Sequence, residues 1–381
     1  MVEQGRPVGQ EGSEDGSTAV TSAPMVALDS DRDGPHVTNA NAHPDLSVLG
    51  GGLAYITGGA SGIGFALAQE SLARGLAAVV IADVEPAAME AAVRRLQKER
   101  PGAEVFGCVV DVSDASSVAA SADTVAERFP GMPISLLAAN AGVGSSGSVI
   151  YSDPEQWDFV FGVNVTGVHN LLRTFVPRML KQGAPGSIMA TSSQDGICAA
   201  NGIYGVSKHA CTAIMEALHQ ELRGRLSTHL LCPNVTATNV VTSERNRSRI
   251  SSSKSSATAK DQAGGSSGGN VQETNPIHER FKVYGTDPRV QAERVFEAIR
   301  TGVHYILAEN EHDPGYVRLE ASSRADAMMT GGRPIRPTSP MMSQLVFNLE
   351  APLPDRAQAA VKAEVASATS QKVEAQRRSR L

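Results

Sequence analysis

Long apolar runs are missing from this sequence of 381 residues, and their absence argues against a protein held in a membrane by helices. No run reaches the roughly 18 apolar residues that a membrane helix needs. The N-terminus has no apolar signal core, and its early acidic residues are untypical of a mitochondrial presequence. We therefore expect a cytoplasmic protein unless a targeting signal lies elsewhere in the chain.

Cysteines and aromatic residues are also scarce. The four cysteines show no CxxC spacing, which is typical of reduced thiols inside the cell rather than of a disulfide scaffold. The histidines form no metal-like constellation, so no metal site is predicted. Aromatic residues make up only 4% of the chain, but 41% apolar residues suffice for a large core. A net charge of -6 argues against a general nucleic-acid binder.

Composition divides the chain into one predicted domain with polar additions. Residues 1–48 are rich in small and polar residues, and we expect a disordered N-terminal extension. Residues 49–320 form the predicted domain. A flexible insertion is expected at about 243–275, because eleven of the twenty residues in 251–270 are Ser or Gly. Residues 321–381 are predicted to be a polar C-terminal tail.

Within the predicted domain, short apolar runs alternate with longer amphipathic ones. This alternation is typical of an α/β fold of the Rossmann type, with a doubly wound, mainly parallel sheet of about seven strands flanked by helices. Ligands of such sheets bind beyond the carboxyl ends of the strands. The predicted strands are 53–57, 77–83, 104–110, 134–139, 186–191, 228–232 and 303–307, and helical patterns include 86–99, 154–181, 201–224 and 290–300.

The segment TGGASGIG, Thr57 to Gly64, closes the first predicted strand and opens a helical pattern. Its glycines allow a tight turn and a close approach of backbone N–H groups to a pyrophosphate. Asp83 ends the next strand, where a carboxylate can accept both ribose hydroxyls of NAD and repels the 2′-phosphate of NADP. Ser61 offers no positive charge to hold that phosphate. The pattern predicts a dinucleotide site that prefers NAD, although a plain strand–helix connection could have such a turn.

A tyrosine and a lysine four residues apart form the second chemical signal. Tyr204 and Lys208 share one face of a predicted helix, and a phenol beside an ammonium group is easier to ionise. Such a pair can move a proton near neutral pH, but alone it is more often an ordinary surface pair.

Further motifs, taken in order, resemble those of the short-chain dehydrogenases/reductases over most of residues 52–310. The segments above match that family's cofactor turn TGxxxGxG and its YxxxK pair. The remaining matches are VVDVSD around Asp111, the NAG tripeptide Asn140, Ala141 and Gly142, FGVNVTGVHN around Asn164, and an SSxxG segment whose serine is Ser193.

The resemblance implies hydride transfer between a nicotinamide cofactor and a secondary alcohol or ketone. Tyr204 would be the general acid and base, and Lys208 together with the positive nicotinamide ring would lower its pKa from the usual value of about 10. Ser193 would hold the substrate oxygen, and Asn164 would position a water for proton relay to Lys208. The cofactor-binding residues implied are Thr57, Gly58, Ser61, Gly62, Ile63, Gly64, Asp83, Asp111, Val112, Asn140, Ala141, Gly142, Tyr204, Lys208, Pro233 and Thr238.

Two departures from the family pattern affect the predicted site. The serine of the family lies about thirteen residues before the tyrosine, whereas Ser193 lies eleven before Tyr204, so Ser192 stays an alternative. The family's Pro-Gly after the sixth strand is Pro233–Asn234 here. Thr238 still stands where the family often binds the nicotinamide amide. Asn adopts unusual φ values less readily than Gly, so a changed local backbone is expected.

The family resemblance also sets what is expected of substrate and partners. We expect a hydrophobic substrate that is lipid-like, steroid-like or polyketide-like, or a 3-hydroxyacyl compound, and a homodimer or homotetramer. The alternatives are an NADP-dependent biosynthetic ketoreductase and a non-catalytic NAD(H)-binding sensor or scaffold. The final tripeptide Ser379–Arg380–Leu381 resembles the peroxisomal signal S-K-L, so peroxisomes are the alternative to the cytoplasm.

Overall fold

A computed structural model describes residues 49, 51–145, 147–198, 202–248, 250, 276–308 and 316–330. Within these residues seven strands form one sheet in the order β3-β2-β1-β4-β5-β6-β7, and every neighbouring pair is parallel. The predicted fold class is confirmed. The strands are β1 (Leu53–Thr57), β2 (Ala78–Asp83), β3 (Glu104–Val109), β4 (Ile134–Ala139), β5 (Ser187–Thr191), β6 (Ser227–Pro233) and β7 (Tyr305–Ala308).

Helices cover both faces of the sheet. A π-helical turn (Gly162–Thr166) joins two helices that the sequence predicted as one, and two 3₁₀ turns (Gln194–Gly196 and Val240–Asn246) follow β5 and β6. The helices are α1 (Gly62–Ala73), α2 (Pro86–Glu99), α3 (Ala115–Arg128), α4 (Pro154–Phe161), α5 (Gly167–Gln182), α6 (Gly202–Leu222), α7 (Pro276–Tyr284), α8 (Pro288–Thr301) and α9 (Tyr316–Thr330).

Local sequence signals explain where several helices begin. Proline occupies the first turn of α2, α4 and α8, where its fixed φ suits the helix and its missing N–H is not needed. The Asp114 and Asp153 carboxylates accept hydrogen bonds from first-turn N–H groups of α3 and α4, and Asp287 does the same for α8. Acidic caps also suit the positive end of the helix dipole.

Two buried clusters hold the layers together. On one face Tyr55 packs against Phe175 of α5, with ring centroids 4.3 Å apart, and α3 and α6 join the same cluster. On the other face Ile56 lies in a cluster with Leu67 of α1 and Phe296 of α8. All residues of β1 and β4 are buried, as expected for central parallel strands covered on both sides.

The chain order of the strands reverses beside β1, which has β2 on one side and β4 on the other. A ligand crevice is expected at such a switch point, beyond the carboxyl ends of the strands. The turn after β1 and the NAG tripeptide after β4 both lie at this edge. The topology therefore brings two of the predicted cofactor motifs together.

Two described elements cross boundaries that the sequence predicted. Helix α9 crosses the boundary predicted at residue 320, and the turn Val240–Asn246 runs into the start of the insertion predicted at 243–275. The predicted extension 1–48, the central residues 251–275 and the final tripeptide lie outside the described residues. No helix of the described ranges is long and apolar enough to span a membrane. In those ranges no group of three His, Cys, Asp or Glu could hold a metal ion.

A buried histidine makes the stability of the fold depend on pH. His229 of β6 bonds through Nδ1 to the Val303 carbonyl and through Nε2 to the Ser227 hydroxyl, at 2.7 and 3.1 Å. Its pKa is lowered to about 4, mainly by burial; the bond to Val303 opposes this effect, and the neighbouring His304 and His219 add to it. The folded protein therefore keeps His229 neutral at pH values where the unfolded chain is already protonated.

We expect the free energy of unfolding to fall as pH decreases from about 6.5 to about 4, by up to roughly 3 kcal/mol from His229. The unfolded state binds the proton in this window and the folded state does not, so acid favours unfolding. Urea unfolding of the protein and of His229→Gln at pH 7 and pH 4.5 measures the effect. An equal pH dependence in both proteins would contradict this role of His229.

Candidate active site

The turn after β1 is joined to the ends of β4 and β5 by one hydrogen-bond network. The Thr57 hydroxyl donates to the Ala138 carbonyl and accepts from the N–H groups of Asn140 and Ala141, each at 3.1 Å. The Asn140 side chain donates to the Thr57 carbonyl at 3.0 Å and accepts from the Thr191 hydroxyl at 2.9 Å. The NAG tripeptide thus braces the Gly-rich turn.

Gly62 and Gly64 of the Gly-rich turn have little room for a side chain. Gly58 and Gly62 have φ values of +61° and +54°, which favour glycine. A Cβ at Gly64 would collide with the Gly58 carbonyl oxygen and lie 2.6 Å from Asn140 Nδ2, and a Cβ at Gly62 would lie 3.0 Å from Thr238 Cγ2. This bare backbone leads into the N-terminus of α1 at Gly62, whose N-cap Ser61 makes no side-chain cap bond. Such a cradle fits the pyrophosphate of a dinucleotide.

Asp83 at the end of β2 is held in place by the same turn. Its carboxylate accepts from the N–H groups of Ala60 and Glu85, both at 3.1 Å. Burial raises its pKa, and these two hydrogen bonds oppose that effect. Asp83 lines a cavity of about 290 Å³ together with Ala60, Ser61, Glu85, Ala88, Asn239, Thr242 and Arg245. This cavity fits the position expected for the ribose that an acidic residue after the second strand would hold.

The residues after β3 form a tight turn beside this cleft. The Asp111 carboxylate accepts from the Ser113 N–H at 2.9 Å and from its hydroxyl at 2.7 Å. Val112 is buried and packs against Gly167, and its carbonyl accepts from Asn170. The two residues are therefore fixed by the fold at the same edge of the sheet.

Tyr204 and Lys208 lie one turn apart on α6, as the spacing predicted. The Ser193 hydroxyl lies near enough to the Tyr204 phenol to lower its pKa, and the Lys208 ammonium nitrogen lies 5.7 Å from the centre of the Tyr204 ring. Lys208 Nζ donates to the Thr191 carbonyl at 2.8 Å. A Cβ at Gly142 would lie 3.2 Å from this nitrogen. Tyr204 and Lys208 of α6 therefore lie next to the predicted cofactor cleft, beyond the carboxyl ends of the strands.

The two candidate serines have different surroundings. The Ser192 hydroxyl lies within hydrogen-bond distance of the Lys208 carbonyl at 3.0 Å and of the Thr212 hydroxyl at 2.9 Å, and the residue is 1% exposed. The Ser193 hydroxyl faces Tyr204 and also accepts from the Asp195 N–H at 3.2 Å. Of the two alternatives left open by the spacing, Ser193 has the geometry for contact with a substrate oxygen.

The surroundings of the Tyr204 phenol oppose its ionisation. Burial raises its pKa, the negative charge of Asp195 raises it further, and the bond from Ser193 lowers it. Burial also lowers the pKa of Lys208. The expectation that Lys208 and the positive nicotinamide ring together lower the pKa of the phenol stays a prediction, and the burial of both side chains opposes it.

Asn164 lies in the π-helical turn and connects two parts of the site. Its Oδ1 accepts from the Val143 N–H at 2.9 Å, and its Nδ2 donates to the Val143 carbonyl at 2.9 Å and the Ser207 hydroxyl at 3.0 Å. The Ser207 hydroxyl in turn donates to the Tyr204 carbonyl at 2.7 Å. The side chain, 1% exposed, therefore ties the chain after the NAG tripeptide to the helix that carries Tyr204.

The replacement of glycine by Asn234 does not strain the backbone. Among the described residues other than glycine, a positive φ occurs only at Arg223. The Asn234 N–H donates to the Ala308 carbonyl at 3.0 Å, and its side-chain oxygen accepts from the Val235 N–H at 2.6 Å. Pro233 is buried and paired with Ala308, so β6 continues to this point. Asn234 therefore occupies the position of the family's glycine without a left-handed backbone conformation.

Several residues of the site carry no signal in the sequence. Glu85 binds Arg245 and Asn246 across the cleft, and Arg324 of α9 donates to the Ile197 carbonyl at 3.0 Å, just after the Ser193 turn. These partners are separated by more than a hundred residues, so no local spacing could reveal them.

Comparisons with known proteins find relatives of one family. A profile of the family described as short chain dehydrogenase matches residues 53–249. C alpha-dehydrogenase of Sphingobium sp. strain SYK-6 is 41% identical over 172 residues, which cover 45% of this chain and 55% of that protein. 1-Deoxy-11-beta-hydroxypentalenate dehydrogenase of Streptomyces avermitilis is 36% identical over 185 residues, which cover 47% of this chain and 67% of that protein. The chain thus spans about half to two thirds of the length of these curated relatives.

A solved structure extends the likeness to the fold. The short chain dehydrogenase/reductase from Burkholderia phymatum, in complex with NAD, superposes with a TM-score of 0.64 at 32% identity. The match covers 76% of this chain and 99% of that one.

Proposed function

Because this chain belongs to the short chain dehydrogenase family, we propose that it is an NAD(H)-dependent oxidoreductase that interconverts a secondary alcohol and a ketone. The observation that carries the proposal is the grouping of Ser193, Tyr204 and Lys208: the Ser193 hydroxyl lies near enough to the Tyr204 phenol to lower its pKa, and the Lys208 ammonium nitrogen lies 5.7 Å from the centre of the Tyr204 ring. The names of the two curated relatives, both dehydrogenases, support an oxidoreductase.

The cleft along the strand ends would hold the dinucleotide. The bare turn at Gly58, Gly62 and Gly64 would hold the pyrophosphate, and Asp83 would accept the hydroxyls of the adenosine ribose. The remaining contacts would come from the residues that end β3, β4 and β6 and from α6: Ser61, Ile63, Asp111, Val112, Asn140, Ala141, Gly142, Pro233, Thr238, Tyr204 and Lys208. When bound, this cofactor supplies the hydride acceptor or donor at C4 of its nicotinamide ring.

The protein's own residues would handle the proton and the substrate oxygen. In reduction the protonated Tyr204 phenol donates its proton to the ketone oxygen, and the Ser193 hydroxyl holds that oxygen. In oxidation the phenol must first lose its proton, and Lys208 is the ammonium group near enough to stabilise the phenolate. Asn164 would position a water for the relay of the proton to Lys208.

Asp83 supports NAD over NADP. Its carboxylate would repel a 2′-phosphate, and Ser61 brings no positive charge to the same place. The structural relative from Burkholderia phymatum is in complex with NAD. An NADP-dependent ketoreductase is the second candidate, and a non-catalytic NAD(H)-binding sensor or scaffold is the third. The arrangement of Ser193, Tyr204 and Lys208 argues against the sensor or scaffold, since a protein that only binds NAD(H) has no use for a proton-transfer group.

A hydrophobic substrate is supported by the chain that follows β4. Gly147 in this segment accepts a hydrogen bond from the N–H of Ile203, the residue before Tyr204. Val149, Ile150 and Tyr151 follow it and are 55%, 79% and 87% exposed. Exposed apolar side chains in a segment that is joined to the start of α6 suit a lipid-like, steroid-like, polyketide-like or 3-hydroxyacyl substrate.

Assembly and location complete the proposal. Two or four copies would associate through α4, α5 and α6, as the family resemblance implies. The protein would work in the cytoplasm, or in peroxisomes if the final tripeptide is recognised there.

Turnover of a panel of secondary alcohols with NAD, and of the matching ketones with NADH, tests the proposal through the absorbance of the reduced nicotinamide. We expect at least one pair to react, and to react faster with NAD(H) than with NADP(H). Faster reaction with NADP(H) would favour the ketoreductase. Tight binding of the dinucleotide with no turnover across the panel would favour the sensor.

A further inference from the structure

A charged contact crosses the cavity that Asp83 lines. Arg245 Nη2 donates to Glu85 Oε1 at 2.7 Å, and Asn246 Nδ2 donates to the same oxygen at 2.9 Å. Glu85 follows β2, whereas Arg245 and Asn246 belong to the 3₁₀ turn that follows β6. This contact joins two walls of the proposed dinucleotide cleft that are 160 residues apart in sequence.

The place of this contact matters for the choice of cofactor. Ser61, Asp83, Glu85 and Arg245 all line the same cavity, and Arg245 is the basic residue among its lining side chains. If Asp83 holds the adenosine ribose, as proposed above, a 2′-phosphate on that ribose would enter this cavity. Arg245 is therefore the group of the wall that could bind such a phosphate, because a guanidinium matches its charge and geometry.

The guanidinium of Arg245 is already engaged, however. Besides the ion pair with Glu85, its Nη1 donates to the carbonyl and hydroxyl of Thr242 at 2.8 and 3.0 Å. A phosphate would have to displace the Glu85 carboxylate, and it would meet the negative charges of both Glu85 and Asp83. Glu85 thus opposes the phosphate in two ways, by repulsion and by occupying its natural partner.

We propose that Glu85 determines cofactor specificity in this chain by holding Arg245 in an ion pair and so keeping it from the 2′-phosphate of NADP. The proposal rests on the dinucleotide site proposed above and assigns the rejection of NADP to two residues, Asp83 and Glu85, instead of Asp83 alone. We call Arg245 a latent phosphate ligand, because it becomes able to bind phosphate only when Glu85 loses its charge.

Glu85→Gln is the informative variant because it changes charge and keeps shape. The amide oxygen of Gln can still accept the bond from Asn246, so the turn after β6 stays attached to its wall. The charge of the ion pair with Arg245 is lost, and only a weaker, neutral acceptor remains for its guanidinium. The matched control is Arg247→Gln, because Arg247 lies on the same segment and pairs with Asp153 at 2.9 Å without lining the cavity.

The ratio of the dissociation constants of NADPH and NADH measures the effect. Both emit through the same nicotinamide fluorophore, so one fluorescence titration serves for both and needs no substrate. We expect Glu85→Gln to lower this ratio by about tenfold, the value of one charge-assisted hydrogen bond, and Arg247→Gln to leave it unchanged. The gain should shrink at high salt, since the pair is partly exposed to solvent.

The double variant Glu85→Gln/Arg245→Gln separates the two effects of Glu85. Loss of the gain in the double variant supports the latent role of Arg245. A gain of the same size in the double variant would overturn it, because repulsion by Glu85 alone would then explain the result. An unchanged ratio in Glu85→Gln would also overturn it. Failure of the unaltered protein to bind either nucleotide would instead contradict the dinucleotide site itself, and this inference with it.

Discussion

Replacing Tyr204 by phenylalanine is expected to lower the turnover number for the alcohol by roughly 10²–10⁴-fold, the usual contribution of a general acid or base. The phenol lies beside the Ser193 hydroxyl, which lowers its pKa, and beside Lys208, so it is the group placed to exchange a proton with a substrate oxygen. Phenylalanine keeps the ring and removes only the hydroxyl. The affinity for NADH should therefore change by less than the turnover number does.

The measurement combines steady-state kinetics on an alcohol from the panel with a titration of NADH by fluorescence. Tyr305→Phe is the matched control, because Tyr305 begins β7, at the edge of the sheet opposite the proposed site, and the change likewise removes a phenol hydroxyl that has a hydrogen-bond partner, Glu216. Full turnover by Tyr204→Phe would remove Tyr204 from the mechanism. A loss of NADH affinity equal to the loss of turnover would show that the hydroxyl serves binding and not proton transfer.

A second large effect is expected from Gly64→Ala in the turn after β1. The new methyl group would collide with the Gly58 carbonyl oxygen and lie 2.6 Å from Asn140 Nδ2. The turn and the NAG tripeptide would have to separate, at a cost of roughly 1–3 kcal/mol. Since the same backbone would hold the pyrophosphate, we expect the affinity for NADH to fall by about 10- to 100-fold.

The control for this variant is Gly75→Ala, just beyond the other end of α1. Gly75 has a φ of +87° and open space where a Cβ would lie, so alanine there strains the backbone without touching the cleft. It should lower the free energy of unfolding by about 1 kcal/mol and leave NADH binding unchanged. Thermal unfolding curves check that Gly64→Ala and the unaltered protein are both folded. Equal NADH affinity in the two folded proteins would contradict the assignment of this turn to pyrophosphate binding.

Central strands were predictable because their burial is written into consecutive apolar residues. The bounds of β1 and β4 agree with the prediction to the residue, since both are buried on two faces and end at polar or glycine-rich turns. The last strand was predicted to begin two residues too early, at 303, and to end one residue too early, at 307. Gly302 ends α8 in the left-handed conformation, and the Val303 N–H still donates to the Ala298 carbonyl, so the helix cap occupies the start of that apolar run.

The candidate site was predictable only where its residues belong to short motifs. The turn after β1 and the Tyr204–Lys208 spacing are local patterns, and the parallel topology brings them to one edge. The Glu85–Arg245 pair depends on a fold that joins positions 160 residues apart. The raised pKa of Tyr204 was missed for a related reason: desolvation is a property of the packed structure, and the sequence shows only that a phenol and an ammonium are neighbours.

The single tryptophan of the chain can report directly whether the strand ends of this sheet bind a nicotinamide dinucleotide. Trp157 stacks on Phe161 in α4, the helix that leads into the turn of Asn164. Titration with NADH under excitation of Trp157 should give a saturable transfer of excitation to the nicotinamide, weakened in Gly64→Ala and absent in Trp157→Phe. Nicotinamide emission that rises only in proportion to added NADH, with Trp157 emission unchanged, would contradict dinucleotide binding at the strand ends.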